Sequence, residues 1–262
     1  MKLLFLGTGA APSFKIPNSE IAPGQRRCAS LMLDTNTLVD VSPQSFDYAI
    51  ELGIDVSQIT DIFLSHTHPD HLSKPALMQF ANAARSKINF WCHSSAVEYL
   101  KLTDEELAKI NICPMECMQD YDASGMTVVA VPANHLAGKN EQPVHFIFKK
   151  DDKAIFYGCD GAWFLCESWD YLRKCGLSFS VMILEATVGD LPGDYRIGGH
   201  NTIPMLRLLI TAMRDNGVVS PTTILIADHI GVPPYDKENA GGYGLLEEMG
   251  MIVASDGMQI EI

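Results

Sequence analysis

The stretch that most constrains this chain is "IFLSHTHPDHL" at 62–72, where His66, His68, Asp70 and His71 crowd into six positions directly behind an apolar run. "DIFLS" reads as a buried strand, and Pro75 suits the first turn of a helix through "KPALMQFANAA". The four polar side chains therefore occupy a loop at a strand end. There His66 and His68 can point to one side, with Asp70 and His71 a little further on, so that one pocket holds two clusters of donors. Neutral imidazole nitrogen and carboxylate oxygen suit zinc, manganese or iron. A capping loop would need one such residue, not four.

Short apolar strands alternate with helical stretches along the whole chain. Strands are expected near 2–6, 30–34, 37–41, 59–65, 88–92, 126–131, 144–149, 153–158, 180–185, 222–227, 251–254 and 258–262. Helices are expected at 43–52, 74–86, 94–110, 164–175, 201–215 and 237–249. Segments such as "MTVVAVPANH" and "VHFIFKKDDKAIFYGCD" follow one another with no helix between them. This α/β chain thus predicts sheets of mixed direction covered by helices, not a doubly wound parallel sheet. With no repeat and no Pro-, Gly- or Ser-rich linker, residues 1–262 read as a single domain.

Composition narrows the partners. A formal charge of −13 argues against a stable nucleic-acid complex, because phosphate-backbone binding depends on Lys and Arg. A small anionic substrate is still compatible, since bound cations can override the global field locally. The apolar runs fall short of the roughly 20 residues that span a bilayer, so no membrane association is expected. "MKLLFLGTGAAPS" reads as a first strand rather than a leader, and the seven cysteines are scattered with no CxxC. Both features point to a cytoplasmic protein with reduced thiols. Cys113 and Cys117 read as thiols of a loop rather than as half of a zinc knot.

"HTHPDH" matches the HxHxDH signature and resembles the metallo-β-lactamase superfamily, whose αββα sandwich packs two mixed sheets between helical layers. Further matches follow in order, each just after a strand: "VVAVPANH" ends at His135, "AIFYGCD" at Asp160 and "ILIADH" at His229. The resemblance implies two divalent metal ions, zinc or manganese, with nickel or iron also compatible. It implies that His66, His68 and His135 hold the first, that Asp70, His71 and His229 hold the second, and that Asp160 bridges them. Some β-lactamases carry cysteine where Asp160 stands. Cys159 is adjacent, but an extended strand end would point its side chain the opposite way.

"LEATVGDLPGDYRIGGHNT" carries the next feature: Gly198-Gly199-His200 leads into a helix capped by Asn201 or Thr202, with Pro204 in its first turn. A histidine at a helix N-terminus can hold a phosphoryl oxygen or protonate a leaving alkoxide. From "LFLGTGAAPS" to "VASDGMQIEI" the chain resembles the PhnP-type cyclic phosphodiesterases and, more distantly, tRNase Z. That likeness implies a phosphodiester-cleaving role for His200 and a homodimer. The chain departs from these relatives in two ways. Cys28 stands alone where a zinc-binding cysteine cluster is usual, so no structural zinc is expected there. Only 25 positions separate His135 from Asp160, too few for a tRNA-gripping arm.

The expected function is hydrolysis of a small, cyclic phosphodiester by a binuclear metal site, with His200 and Asp70 as catalytic residues. Hydrolysis of a lactone or thioester by the same site is the alternative, and a catalytically silent metal-binding regulator is a third reading. Asp40 in "LVDVSPQ" is expected to orient a ligand histidine, whereas His93 and His145 have no place in the pattern. The pocket walls are expected from loops 12–27, 111–125 and 189–199.

Overall fold

In a computed structural model, which describes residues 1–231 and 241–262, the apolar runs pair into two seven-stranded sheets. The first sheet has the spatial order β14 (Gln259–Glu261), β1 (Lys2–Gly7), β2 (Ser30–Leu33), β3 (Thr37–Val39), β4 (Asp61–Leu64), β5 (Ile88–His93), β6 (Ile110–Met115). The second runs β13 (Met251–Val253), β12 (Ile224–Asp228), β11 (Val181–Glu185), β10 (Lys153–Gly158), β9 (Val144–Lys150), β8 (Met126–Pro132), β7 (Asp120–Ala123). Each sheet is antiparallel in one half and parallel in the other.

That pairing decides where the polar loops meet. β3 and β4 run parallel, so Asp40 and the loop after Leu64 leave the first sheet at the same edge. β8 and β10 are each antiparallel to β9 and hence run together, and β11 and β12 are parallel to β10. The segments bearing His135, Asp160, Glu185 and His229 thus emerge together from the second sheet. Carboxyl ends of strands are where such sheets bind ligands.

Apolar layers hold this arrangement. Phe5 and Phe63 of the first sheet meet Phe146, Phe148 and Ile183 of the second in a buried cluster, and the Phe63 ring stands edge-on to Phe146 and Phe148 with centroids 5.5 and 5.3 Å apart. On the outer face of the first sheet lie α1 (Ser45–Glu51) and α2 (Lys74–Ala83). On the outer face of the second lie α5 (Cys166–Lys174), α6 (Ile203–Asp215) and α7 (Gly241–Glu248). The result is the expected αββα sandwich. Among the described residues no helix is long and apolar enough to cross a membrane.

Two expectations change. The helix over 94–110 breaks into a 3-10 turn and two short helices, α3 (Val97–Leu100) and α4 (Asp104–Leu107). Lys101 turns left-handed (φ 47°), and Thr103 starts the next turn with a capping box to Glu106. Residues 111–125 are not a pocket loop. They form most of β6 and all of β7, the edge strands of the two sheets, and an edge position tolerates Pro114 because its missing N–H faces no further strand. Of the helix expected over 237–249, residues 237–240 lie outside the described residues.

Candidate metal centre

The loop after β4 is held from both sides. Asp40, whose backbone is left-handed (φ 57°), accepts the Ser65 N–H at 2.8 Å and the Ser65 hydroxyl at 2.9 Å. Its Oδ2 also accepts from His71 Nδ1 at 2.8 Å, so Asp40 does orient a histidine of the cluster. On the far side Glu141 accepts the Thr67 N–H at 2.7 Å, the Thr67 hydroxyl, and the Gly138 N–H at 2.9 Å. Between these clamps the chain turns tightly, with the His71 and Leu72 N–H groups both donating to the His68 carbonyl.

All seven expected donors converge, and Asp160 is their centre. Its Oδ2 lies 3.4 Å from His66 Nε2, 3.3 Å from His71 Nε2 and 3.5 Å from His135 Nε2. Its Oδ1 faces His229 Nδ1 at 2.8 Å. His68 Nδ1 is 2.9 Å from His66 Nε2 and 3.2 Å from His135 Nε2. Asp70 Oδ2 is 3.4 Å from both His71 Nε2 and His229 Nε2. His66, His68, His135 and Asp160 form one donor group close enough to hold a metal ion; His71, Cys159, Asp160 and His229 form another. Each group draws donors from both sheets.

The tautomers suit cation binding. His71 gives Nδ1–H to Asp40, His135 Nδ1 meets the Gly199 carbonyl at 2.9 Å, and His66 Nδ1 meets Ser65 Oγ at 3.0 Å. In all three rings Nε2 is left for the cluster, the arrangement found where imidazoles bind metal. His71 Nε2 is buried without a hydrogen-bond partner. Buried polar atoms are rarely left so, and a divalent cation beside it would account for it.

A family model described as a beta-lactamase superfamily domain matches residues 35–208, which contain every expected donor except His229. The chain belongs to the beta-lactamase superfamily. Solved structures of the superfamily share the fold over the full length of this chain. The metallo-beta-lactamase fold protein YhfI from Bacillus subtilis has a TM-score of 0.74 at 13% identity, with 100% of this chain and 98% of that one covered. A diphosphatase from the PhnP family has 0.69 at 17% identity (100% and 96% covered), and human tRNase Z, short form, has 0.70 at 17% identity (100% and 99% covered). No curated protein matches the chain. Family and donor chemistry together mark a metal-dependent hydrolase of the metallo-β-lactamase fold.

Protonation differs between the two groups. Burial lowers the pKa of His66, His68 and His135, leaving them neutral. Burial opposes the charged forms of Asp70 and Asp160 as well, but the adjoining His71 and His229 hold both carboxyls well below the usual range. Burial likewise opposes charge on His71 and His229, yet the acidic neighbours outweigh it: Asp70 first for His71, Asp160 first for His229. Both are raised well above an ordinary imidazole. A cation entering there displaces protons.

His200 reaches the same place from the second sheet. Its Nδ1 lies 3.5 Å from Glu185 Oε1 and 3.7 Å from Asp160 Oδ1, and its ring lies parallel to His229 with centroids 6.0 Å apart. Burial lowers its pKa, but Glu185 and Asp160 outweigh burial and raise it. Its approach is set by the backbone, because the N–H groups of Gly199 and His200 both donate to the Arg196 carbonyl. Thr202, not Asn201, caps α6, its hydroxyl accepting the Met205 N–H. The Asn201 amide N–H instead donates to Glu185, and its side chain donates to the Gly161 carbonyl at 2.8 Å.

A cavity of about 460 Å³ opens over the centre, and His68, Asp70, Asp160, His200 and His229 all line it. Phe14 and Arg196 complete its walls from loops 12–27 and 189–199; among the described residues none of 111–125 lines it.

Three residues of the site carried no signal of their own. Glu141 and Glu185 are acids whose partners lie 74 and 16 positions away, and Arg196 is an ordinary loop arginine until Asp194 fixes it with bonds of 2.9 and 2.8 Å. Cys159 was expected to point away from Asp160. The extended strand stops at Gly158, so strict alternation ends there, and the Cys159 sulfur joins Asp160 among the donors.

Proposed function

We propose that this protein hydrolyses a small phosphodiester, cyclic ones included, at a centre of two divalent cations. The observation that carries this reading is His200. It is a histidine with raised pKa, beside Asp160 and Glu185, in a cavity that also presents the Arg196 guanidinium. Acyl transfer has no need of an imidazole of raised pKa and a guanidinium in one cavity, whereas a phosphodiester presents negative oxygens to both.

His66, His68 and His135 would hold one cation and Asp70, His71 and His229 the other, with Asp160 shared. Bound there, two divalent cations lower the pKa of water to about 7 and draw charge from the phosphoryl oxygens. Asp70, kept ionised by its histidines, orients the attacking water. Arg196, fixed by Asp194, turns its remaining donors toward a non-bridging phosphoryl oxygen. His200, whose protonated form Glu185 and Asp160 favour, gives its proton to the departing alkoxide. Phe14 offers an apolar wall to the organic part of the substrate.

The test is a parallel assay of the zinc- and manganese-loaded protein against 2′,3′-cyclic nucleotides, bis-nitrophenyl phosphate, lactones and thioesters. Turnover confined to the diesters is expected. Turnover confined to the carbonyl compounds would replace this reading with the acyl one, and a metal-loaded protein inert on the whole panel would favour a regulator.

A further inference from the structure

We propose that Cys159 is a sulfur ligand of the second cation, joining Asp70, His71, Asp160 and His229 in a mixed nitrogen, oxygen and sulfur set that favours zinc over manganese. The inference rests on the two-cation reading above and goes beyond it. The donor atoms of Cys159, His71, Asp160 and His229 lie within 4.8 Å of one another, and all four residues are buried. Donors about 2.0–2.3 Å from zinc stand roughly 3.3–3.8 Å apart in a tetrahedral arrangement, so a contraction of about an ångström brings these four within bonding reach, with Asp70 beside them.

The local chain explains how a cysteine comes to be there. β10 ends at Gly158, where a side chain would meet the Ile183 carbonyl at 3.0 Å and the Phe156 ring at 2.6 Å. The strand therefore delivers a bare backbone into a crowded edge and turns. Cys159 and Asp160 then both face the histidines instead of alternating. Of the seven cysteines, Cys159 is the one found in a donor group among the described residues.

The rival reading is that Cys159 only packs, since it is also part of the apolar cluster between the sheets. One unpartnered atom argues against it. His71 Nε2 is buried without a hydrogen bond, and His71 belongs to the same donor group as Cys159. A packing thiol leaves that nitrogen orphaned, whereas a cation bound by thiolate, imidazole and carboxylate satisfies it. Binding releases the thiol proton to solvent as the metal–sulfur bond forms. Thiolate is a soft ligand that manganese uses poorly and zinc uses well.

The wild-type protein should be stripped of metal and reloaded with cobalt, and separately with zinc. Two bound equivalents, a near-ultraviolet sulfur-to-cobalt charge-transfer band, and a zinc-edge sulfur shell at about 2.3 Å are expected. Cys159→Ser should abolish the band and weaken one zinc equivalent about tenfold or more while sparing the other, whereas Cys166→Ser, at an exposed thiol, should leave both unchanged. Should the serine variant fail to fold, the zinc-edge spectrum of the wild type decides alone. Two bound equivalents with only nitrogen and oxygen neighbours would overturn the role of Cys159 and leave the two-cation reading standing. No bound metal would overturn both.

Discussion

The two donor groups share Asp160 but are built differently. In the first, His68 and His135 are only partly buried, the imidazoles are neutral, and the clamp is Glu141 acting through Thr67. The second is wholly buried. Its histidines are pushed toward the charged form, Asp40 grips His71, and His229 sits in a left-handed backbone conformation (φ 50°) that few non-glycine residues adopt. A cation meets ready lone pairs in the first group and must expel protons in the second. The second should therefore depend more on the residues around it.

Removing the shared residue should erase the contrast. Asp160→Ala is expected to lose both equivalents of metal and all measurable turnover, as read by elemental quantification alongside the diester assay. Retention of one full equivalent would make Asp160 the property of one group only. His200→Ala should lower diester turnover by about 10²- to 10⁴-fold with both equivalents retained. An equal loss of metal would turn His200 from a proton donor into a ligand. Asp40→Ala should sharpen the comparison, weakening the second equivalent about 10- to 100-fold and the first hardly at all in a calorimetric titration. Equal weakening of both would show the loop after β4 acting as one piece.

The smallest effect concerns a residue that binds nothing. His145 is buried with neither ring nitrogen bonded, and burial, with the nearby His135, brings its pKa down to about 3. The unfolded chain takes up this proton near pH 6.5 and the folded one only near 3, so His145 supports folding fully above pH 6.5 and loses that support as pH falls. His145→Phe should remove a contribution on the order of a few kcal/mol to the acid sensitivity of metal-free protein, measured by denaturant titration at pH 4 and 7. An unchanged pH slope would place the sensitivity in the metal-free clusters instead.

The expected donors were legible because each sits within seven residues of the end of an apolar strand, at Leu64, Pro132, Gly158 and Asp228, and strand ends carry their own punctuation. The sandwich was legible for the same reason. What escaped depends on distance in the chain or on a local break. Glu141 and Glu185 show their use only when the sheets bring Thr67 and Asn201 against them. The edge strands β6 and β7 are half polar and hold Pro114 and two aspartates, so a loop was the natural reading of 111–125. Cys159 depended on one backbone step after Gly158 that no periodicity reports.

That each group takes its histidines from both sheets has a mechanical side. His66, His68 and His71 follow a strand of the first sheet, whereas His135, Asp160 and His229 follow strands of the second. At the same edge the Ile230 N–H donates to the Thr8 carbonyl, the Ala10 N–H to the Ile230 carbonyl and the Val144 N–H to the Ser65 carbonyl, thin stitches across the seam. A cation in either group would be a rivet through that seam. Chelation would then loosen the adhesion of the two halves at their open edge first, well away from the phenylalanines between them.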